Sequence, residues 1–132
     1  MGLKIAISAS LVALCLSAPA RANELTQNVA QHCGWISMPS PQNMYLIDKS
    51  GEWIISEMGG HQSEGDWPEL SRKKSHWVSS GTGGYGYGCA CFKMQIQNDS
   101  KNVIKVTNVL AKKISACRND RNLRRSEPLQ NK

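Results

Sequence analysis

After residue 22 the sequence contains no apolar run that approaches the roughly 20 residues of a transmembrane helix. The Gly-x-Ser-x-Gly elbow and the zinc-protease motif, which would indicate a hydrolase, are also absent. Cys89 and Cys91 are separated by a single residue, whereas structural zinc sites usually space their cysteines two to four residues apart. From these absences we expect a non-enzymatic protein that holds no metal and no cofactor.

The first 22 residues have the organisation of a cleavable signal peptide. Lys4 supplies a short positive region, and Ile5–Ala18 is an apolar segment too short to span a membrane. Ala20 and Ala22 place small residues at positions −3 and −1 of a cleavage site. We therefore expect cleavage after Ala22, a periplasmic or secreted location, and no stable membrane insertion afterwards. Removal of 22 of the 132 residues leaves 110, which is enough for one domain.

The predicted mature chain carries a mild positive charge. Without Lys4 and Arg21, 14 of the 16 basic residues remain against 10 acidic residues, which gives a net charge of +4. Four of the basic residues are arginines within Arg118–Arg125, so part of the charge belongs to the C-terminal tail. Nucleic-acid binding conflicts with export, and we expect residues 124–132 to form a solubilising, disordered basic tail.

Cysteine number is the strongest chemical signal. Four cysteines follow the predicted cleavage site: Cys33, Cys89, Cys91 and Cys117. An even number in a short exported domain predicts two disulfides. A Cys89–Cys91 bond is disfavoured because alternate residues of a strand lie about 6.6 Å apart, near the far limit for a bridge. Two arrangements remain, in which Cys89 and Cys91 each bond to a different one of Cys33 and Cys117. Of these we prefer Cys33–Cys89 with Cys91–Cys117.

Short apolar runs separated by turn residues predict strands in the two halves of the chain. Met44–Ser56 reads as a hairpin whose turn lies at Asp48–Gly51. Tyr85–Gln97 and Val103–Ile114 read as a second strand pair, and the slip in alternation near Asn108 predicts a bulge.

The other segments complete an all-β domain over residues 33–123. We expect a flexible, weakly helical arm at 23–32, a long loop at Met58–Ser75, a short strand at His76–Val78 and a short closing helix at Ala116–Leu123. The predicted fold class is a small, disulfide-braced antiparallel barrel or sandwich of five to six strands with a short C-terminal helical turn.

Ser79–Phe92 contains five of the eleven glycines and is the stretch in which we place the function. Tyr85 and Tyr87, two positions apart, are expected to share a face, with Gly86 and Gly88 bare on the other. Either the tyrosines are presented outward, or the glycines accommodate a core tryptophan. The candidate binding residues are Ser79, Ser80, Thr82, Tyr85, Tyr87 and, in the preceding loop, Trp67.

Several motifs resemble those of a family of small exported bacterial proteins of unknown function, DUF4087. They are Cys33–Trp35, the Asp48–Ile55 turn, the run Gly84–Cys91 that ends in Cys-Ala-Cys, and Cys117 followed by arginine. The resemblance covers nearly all of the predicted mature chain. It implies a bacterial source and a periplasmic or secreted location, and it carries no known catalytic residue or ligand.

A second similarity is confined to one loop. Ser80–Tyr85 is similar to the Ser/Gly/Tyr loop with which small β-barrel periplasmic lysozyme inhibitors fill a lysozyme cleft. That similarity implies a loop whose small residues let the backbone enter a cleft while hydroxyls meet catalytic carboxylates. The threonine-lysine-glycine motif of those inhibitors is absent.

The function that we predict is binding of a protein partner in the cell envelope, such as a hydrolase or a toxin. A disulfide-stabilised envelope structural protein without a discrete ligand is the alternative. A small hydrolase that uses His61, Asp66 or His76 is a third hypothesis. A combined site requires the Met58–Ser75 loop and the Ser79–Tyr87 loop to lie at the same end of the fold.

Overall fold

The computed structural model of the protein describes residue 2 and residues 28–65, 70–81 and 83–128. Over these residues the fold is all-β, as predicted. The strands are β1 (Val29–Ser40), β2 (Asn43–Asp48), β3 (Gly51–Ser56), β4 (Glu64–Gly65), β5 (Trp77–Ser79), β6 (Gly86–Gln97) and β7 (Asn102–Lys112). They are followed by the helix α1 (Ile114–Asn119) and a 3-10 helix at Arg124–Ser126. There are seven strands rather than five or six, since the predicted long loop contains the two-residue strand β4.

Five of the strands close into a ring, which makes the fold the barrel of the two predicted alternatives. Antiparallel pairings join β2 to β1, β1 to β6, β6 to β7 and β2 to β3. The ring closes where Ile54 of β3 lies beside Asn102 of β7 in a parallel pairing. The short strand β4 also runs parallel to β7. The sheet is therefore mixed and not purely antiparallel, because β3, β4 and β7 all run in the same direction along the ring.

Both predicted strand pairs are present. β2 and β3 form the first hairpin, and Gly51 after its turn has a φ of 129°, which favours glycine. In the second pair, Asn108 lies opposite Lys93 and Val106 lies opposite Met94, so Thr107 is an extra residue on β7. This irregularity confirms the bulge predicted near Asn108.

The interior of the ring is filled by apolar side chains that alternate along the strands. Its buried members are Ile36, Leu46, Trp53, Ile55, Trp77, Ala90, Phe92, Met94, Val103 and Val106. On β6 the even-numbered residues Ala90, Phe92 and Met94 face this core, since successive side chains of a strand point to opposite faces. The odd-numbered residues therefore face outward.

A second core forms outside the ring, where the C-terminal segment covers β1 and β6. Its members are Trp35, Tyr87, Cys89, Ile114, Cys117 and Leu123. Trp35 is fully buried, and its Nε1–H donates a hydrogen bond of 2.7 Å to the carbonyl oxygen of Leu123. A hydrogen bond inside an apolar contact fixes direction as well as distance, so it sets where the C-terminal segment lies on the sheet.

Two disulfides brace this arrangement, but the preferred pairing from the sequence is wrong. The bonds are Cys33–Cys91 and Cys89–Cys117. Cys33 lies directly opposite Cys91 in the β1–β6 register, whereas Cys89 lies opposite Trp35. Cys89 instead reaches α1 in the second core. With sequence separations of 58 and 28 between the linked cysteines, each bond is expected to contribute about 4 kcal/mol in the chain-entropy model.

The structure extends the ordered domain at both ends. β1 begins at Val29, so residues 29–32 of the predicted flexible arm are a paired strand opposite β6. Residues 124–128 of the predicted disordered tail are also ordered, because Glu127 is bonded to Tyr87 and Arg118. The predicted signal peptide, apart from residue 2, lies outside the described residues. No helix in the described ranges is long and apolar enough to cross a membrane.

Trp77 of β5 packs against the bare backbone of β6. A Cβ atom at Gly88 would lie 2.9 Å from Cε3 of Trp77 and 2.6 Å from the carbonyl oxygen of His76. A Cβ atom at Gly86 would lie 2.0 Å from the carbonyl oxygen of Val78. These two glycines therefore accommodate a core tryptophan, which was one of the two alternatives that the sequence left open.

Replacement of Gly88 by alanine tests this close packing. The φ angle of Gly88 is one that alanine also adopts, so the substitution is unfavourable only because its Cβ atom clashes with its neighbours. We expect a loss of about 1–3 kcal/mol in the free energy of unfolding. Gly60→Ala is the matched control, because a Cβ atom there meets its nearest neighbour at an ordinary 3.5 Å. Chemical denaturation of both variants measures the difference, and equal stabilities would contradict the packing described.

Candidate functional site

Residues 79–81 and 83–85, at the junction of β5 and β6, are exposed apart from the half-buried Tyr85, and we call them the glycine loop. Ser79 lies opposite Gly86 in the β5–β6 pairing, so the loop begins and ends at one paired position. Inside it, the Ser80 N–H donates to the carbonyl oxygen of Tyr85 at 2.9 Å. The Ser79 hydroxyl donates to the carbonyl oxygen of Gly81 at 2.8 Å. The described part of the loop is thus held by its own backbone groups.

The backbone of the glycine loop needs glycine for its conformation. The φ angles of Gly81, Gly83 and Gly84 are 139°, 80° and 75°, a region that L side chains rarely adopt. Nothing lies within 4 Å of a Cβ atom at Gly81 or Gly84, so the space beside them is open. The loop therefore presents peptide groups to its surroundings with almost no side chain in front of them.

Tyr85 lies over this bare backbone. A Cβ atom at Gly83 would be 2.8 Å from Cε2 of the Tyr85 ring, so the ring rests directly on Gly83. The side chain is half-buried. An aromatic ring on a glycine turn supplies a rigid apolar surface next to exposed peptide groups, a combination suited to protein contacts.

Arg72 connects the preceding loop to the glycine loop. Its Nη1 donates to the carbonyl oxygen of Gly84. Its guanidinium carbon lies 4.1 Å from the centre of the Trp77 ring, a cation–π contact. Arg72, in the C-terminal part of the predicted long loop, therefore contacts the glycine loop. The sequence did not identify Arg72, although it stands in a short basic run ahead of β5.

The predicted binding residues do not all lie on this surface. Ser79, Ser80 and Tyr85 belong to the glycine loop, while Trp67 and Thr82 lie outside the described residues. Tyr87 is buried in the second core, where its ring meets Trp35 edge-on at 5.6 Å. The two tyrosines are therefore not presented together, because Tyr85 lies in the loop before β6, whereas Tyr87 lies within β6 against the second core.

Tyr87 instead takes part in a polar cluster behind the glycine loop. Its hydroxyl donates to Oε1 of Glu127 at 2.8 Å, and Arg118 Nη2 donates to the same oxygen at 2.6 Å. The bond from Arg118 lowers the pKa of the Glu127 carboxyl below its usual range. Burial, followed by the bond to Glu127, raises the pKa of Tyr87. This cluster fastens the end of the described chain onto β6.

A buried His–Asp pair at the other end of the ring was not predicted. His32 Nδ1 lies 2.7 Å from Oδ2 of Asp48, and the backbone N–H and hydroxyl of Ser50 both donate to Oδ1. The His32 ring meets Trp53 edge-on at 5.3 Å. Burial opposes ionisation of Asp48, yet the bonds from Ser50 and His32 together hold the pKa of its carboxyl below the usual value. A cavity of about 370 Å³ lies beside the pair.

The histidines of the hydrolase hypothesis have different partners. His61 Nε2 lies 2.7 Å from the carbonyl oxygen of Val103, while His76 Nδ1 lies 2.8 Å from the hydroxyl of Ser75. Asp66, the third residue of that hypothesis, lies outside the described residues. Within the described ranges, no group of three or more His, Cys, Asp or Glu side chains is placed to hold a metal ion.

Removal of the Arg72 guanidinium tests how the glycine loop is held. In Arg72→Gln the bond to Gly84 and the stacking on Trp77 are lost, so we expect the Ser80 amide to exchange its proton about five- to tenfold faster. Lys73→Gln removes a neighbouring positive charge and is the control. Amide hydrogen exchange followed by NMR gives the rates. Unchanged protection in Arg72→Gln would show that Arg72 does not hold the loop.

Replacement of Asp48 by asparagine tests the buried pair and has a defined pH dependence. A lowered pKa means that the ionised carboxylate stabilises the fold above its usual value of 3.8, and that this contribution is lost as the pH falls through the lowered value. We expect Asp48→Asn to cost about 1–3 kcal/mol near neutral pH, and less in acid. Urea denaturation near neutral pH and in acid measures the loss of stability, with Asp99→Asn in an exposed turn as the control. A cost independent of pH would contradict the assignment.

Comparison with known proteins identifies a family without assigning an activity. No curated protein and no solved structure gives a significant match. The model of one protein family, described as protein of unknown function (DUF4087), matches residues 27–124. This match covers the seven strands and α1. The chain therefore belongs to the DUF4087 family.

Proposed function

We propose that the protein is a non-enzymatic binding module of the cell envelope that engages a protein partner through the glycine loop. The observation that carries this proposal is an exposed, glycine-rich loop whose conformation is fixed from outside. The space beside Gly81 and Gly84 is open, while Arg72, bonded to the Gly84 carbonyl oxygen, and the Tyr85 ring, which rests on Gly83, fix the conformation of the loop.

The proposal explains why glycines stand at positions where packing does not require them. Glycine loses more conformational freedom on folding than other residues, so an ordered run of glycines at the surface costs free energy. At Gly86 and Gly88 the close approach of Trp77 accounts for that cost. At Gly81 and Gly84 no neighbour does: their positive φ angles favour glycine, and the open space beside their backbone is available to a partner.

A loop of small, exposed residues can enter a concave partner surface. The glycine loop projects from the paired position Ser79–Gly86, and no side chain larger than serine precedes Tyr85 in its described residues. The cleft of an envelope hydrolase, such as a lysozyme, is a surface of that shape, in line with the loop similarity noted from the sequence. Export, which the signal-peptide pattern predicts and which suits two disulfides, would place the protein beside such enzymes.

Truncation of Tyr85 tests the binding surface. Aromatic anchors at interfaces commonly contribute more than 1.4 kcal/mol, so we expect Tyr85→Ala to weaken partner binding about tenfold or more. Tyr45→Ala removes a half-buried tyrosine from β2, remote from the glycine loop in sequence, and is the matched control. Proteins captured from a periplasmic extract are identified by mass spectrometry and their affinities measured with both variants.

Two results would contradict the proposal. One is a partner that binds Tyr85→Ala and Tyr45→Ala equally well, since the glycine loop would then lie outside the interface. The other is an extract from which the folded, oxidised protein retains no partner. The inhibitor version is tested separately by lysis of peptidoglycan with each main lysozyme type, and it fails if none is slowed.

A further inference from the structure

A second concave surface lies apart from the glycine loop, between the segment that enters β5 and the beginning of α1. It is a cavity of about 350 Å³. Its polar lining consists of Lys74, Ser75, Lys113, Ser115, Arg118 and Asn119. Neither the glycine loop nor the His32–Asp48 pair contributes to it.

The charge of this cavity has one sign. Three of its lining residues, Lys74, Lys113 and Arg118, are cationic, and none of the described residues that line it is acidic. Glu127, which does not line the cavity, pairs with Arg118, so the uncompensated positive charge comes from Lys74 and Lys113. The cations come from two segments of chain about 40 residues apart, so the fold and not a local run brings them together. Like charges around a shared concavity repel one another, and a bound anion relieves that repulsion.

The lining also supplies hydrogen-bond donors of the kind that a phosphate group uses. The Ser115 hydroxyl and the Asn119 side-chain amide are neutral donors beside the three cations. Glu127 accepts bonds from Nε and Nη2 of Arg118, which fixes the plane of the guanidinium. A fixed guanidinium with further donors around it matches an oxyanion that has several acceptor oxygens.

Both walls of the cavity are held in place before any ligand arrives. The backbone N–H of Ile114 donates to the carbonyl oxygen of Ser75 at 2.8 Å, which joins the two segments directly. The Cys89–Cys117 disulfide ties α1 to β6. A preorganised site loses little conformational freedom on binding, so a modest set of contacts can give measurable affinity.

We propose that this cavity is a binding site for a phosphate group. The group could belong to the headgroup of an anionic lipid or to a soluble phosphorylated compound, because the lining recognises the same oxygens in both. The proposal does not depend on the glycine loop having a partner.

Titration with inorganic phosphate at constant ionic strength tests the site. In the ¹⁵N-labelled, oxidised protein we expect saturable NMR shifts at the amides of Ser75, Ser115 and Asn119. The double variant Lys74→Glu, Lys113→Glu should weaken this response about tenfold or more. Lys93→Glu, Lys105→Glu is the matched control, since it changes the net charge equally at exposed positions on β6 and β7.

Sedimentation with vesicles distinguishes the two sources of phosphate. Binding to phosphatidylglycerol but not to phosphatidylcholine vesicles, lost in the cavity variant alone, would identify a lipid headgroup. Phosphate shifts without vesicle binding would identify a soluble compound. Absence of saturable shifts at the cavity would overturn the proposal. So would an equal loss in the two double variants, because it would show attraction by net charge alone. Circular dichroism confirms that both variants fold.

Discussion

The structure depends on the constraint that β6 is covered on both faces and paired on both edges. Every residue from Gly86 to Phe92 is buried. β1 lies along one edge, and β5 followed by β7 lies along the other. Each position must therefore suit a neighbour: glycine where Trp77 crosses the strand, small or aromatic side chains toward the ring, Cys89 toward the second core, and Cys91 opposite Cys33 of β1. A strand in this position tolerates few alternatives.

The same constraint makes an exposed run of glycines structurally possible. The glycine loop begins on β5 and ends on β6, which pair with each other, and β6 is bonded covalently to β1 and to α1. The entropic cost of ordering the glycines is thus offset by contacts outside the loop. Arg72 adds a charge-assisted hydrogen bond to the carbonyl oxygen of Gly84, which lies in the loop between the two strands. Paired strand residues therefore hold the two ends of the glycine loop, whereas the residues between them are rich in glycine.

Local patterns in the sequence predict local structure well in this protein, whereas pairing between distant segments is beyond them. Alternation along β7 was enough to predict a bulge near Asn108. The disulfide partners depended on the register of β1 against β6, which no local pattern contains. The burial of Tyr87 depends on the distant C-terminal segment that covers β6, which no local pattern around Tyr87 contains. The family match gives no ligand, so it could not have indicated which residues bind one.

The two proposed surfaces meet in the short segment that leads into β5, yet their chemistry remains separable. The carbonyl oxygen of Lys73 accepts hydrogen bonds from the N–H groups of His76 and Trp77, which makes this segment a tight turn. On one side of the turn, Arg72 reaches Gly84 and stacks on Trp77. On the other, Lys74 lines the cavity beside α1. Because Arg72 and Lys74 have different partners, we expect a change in one to leave the contacts of the other intact. Loss of partner binding and loss of phosphate binding can therefore be assigned to different residues, although a single backbone turn positions both.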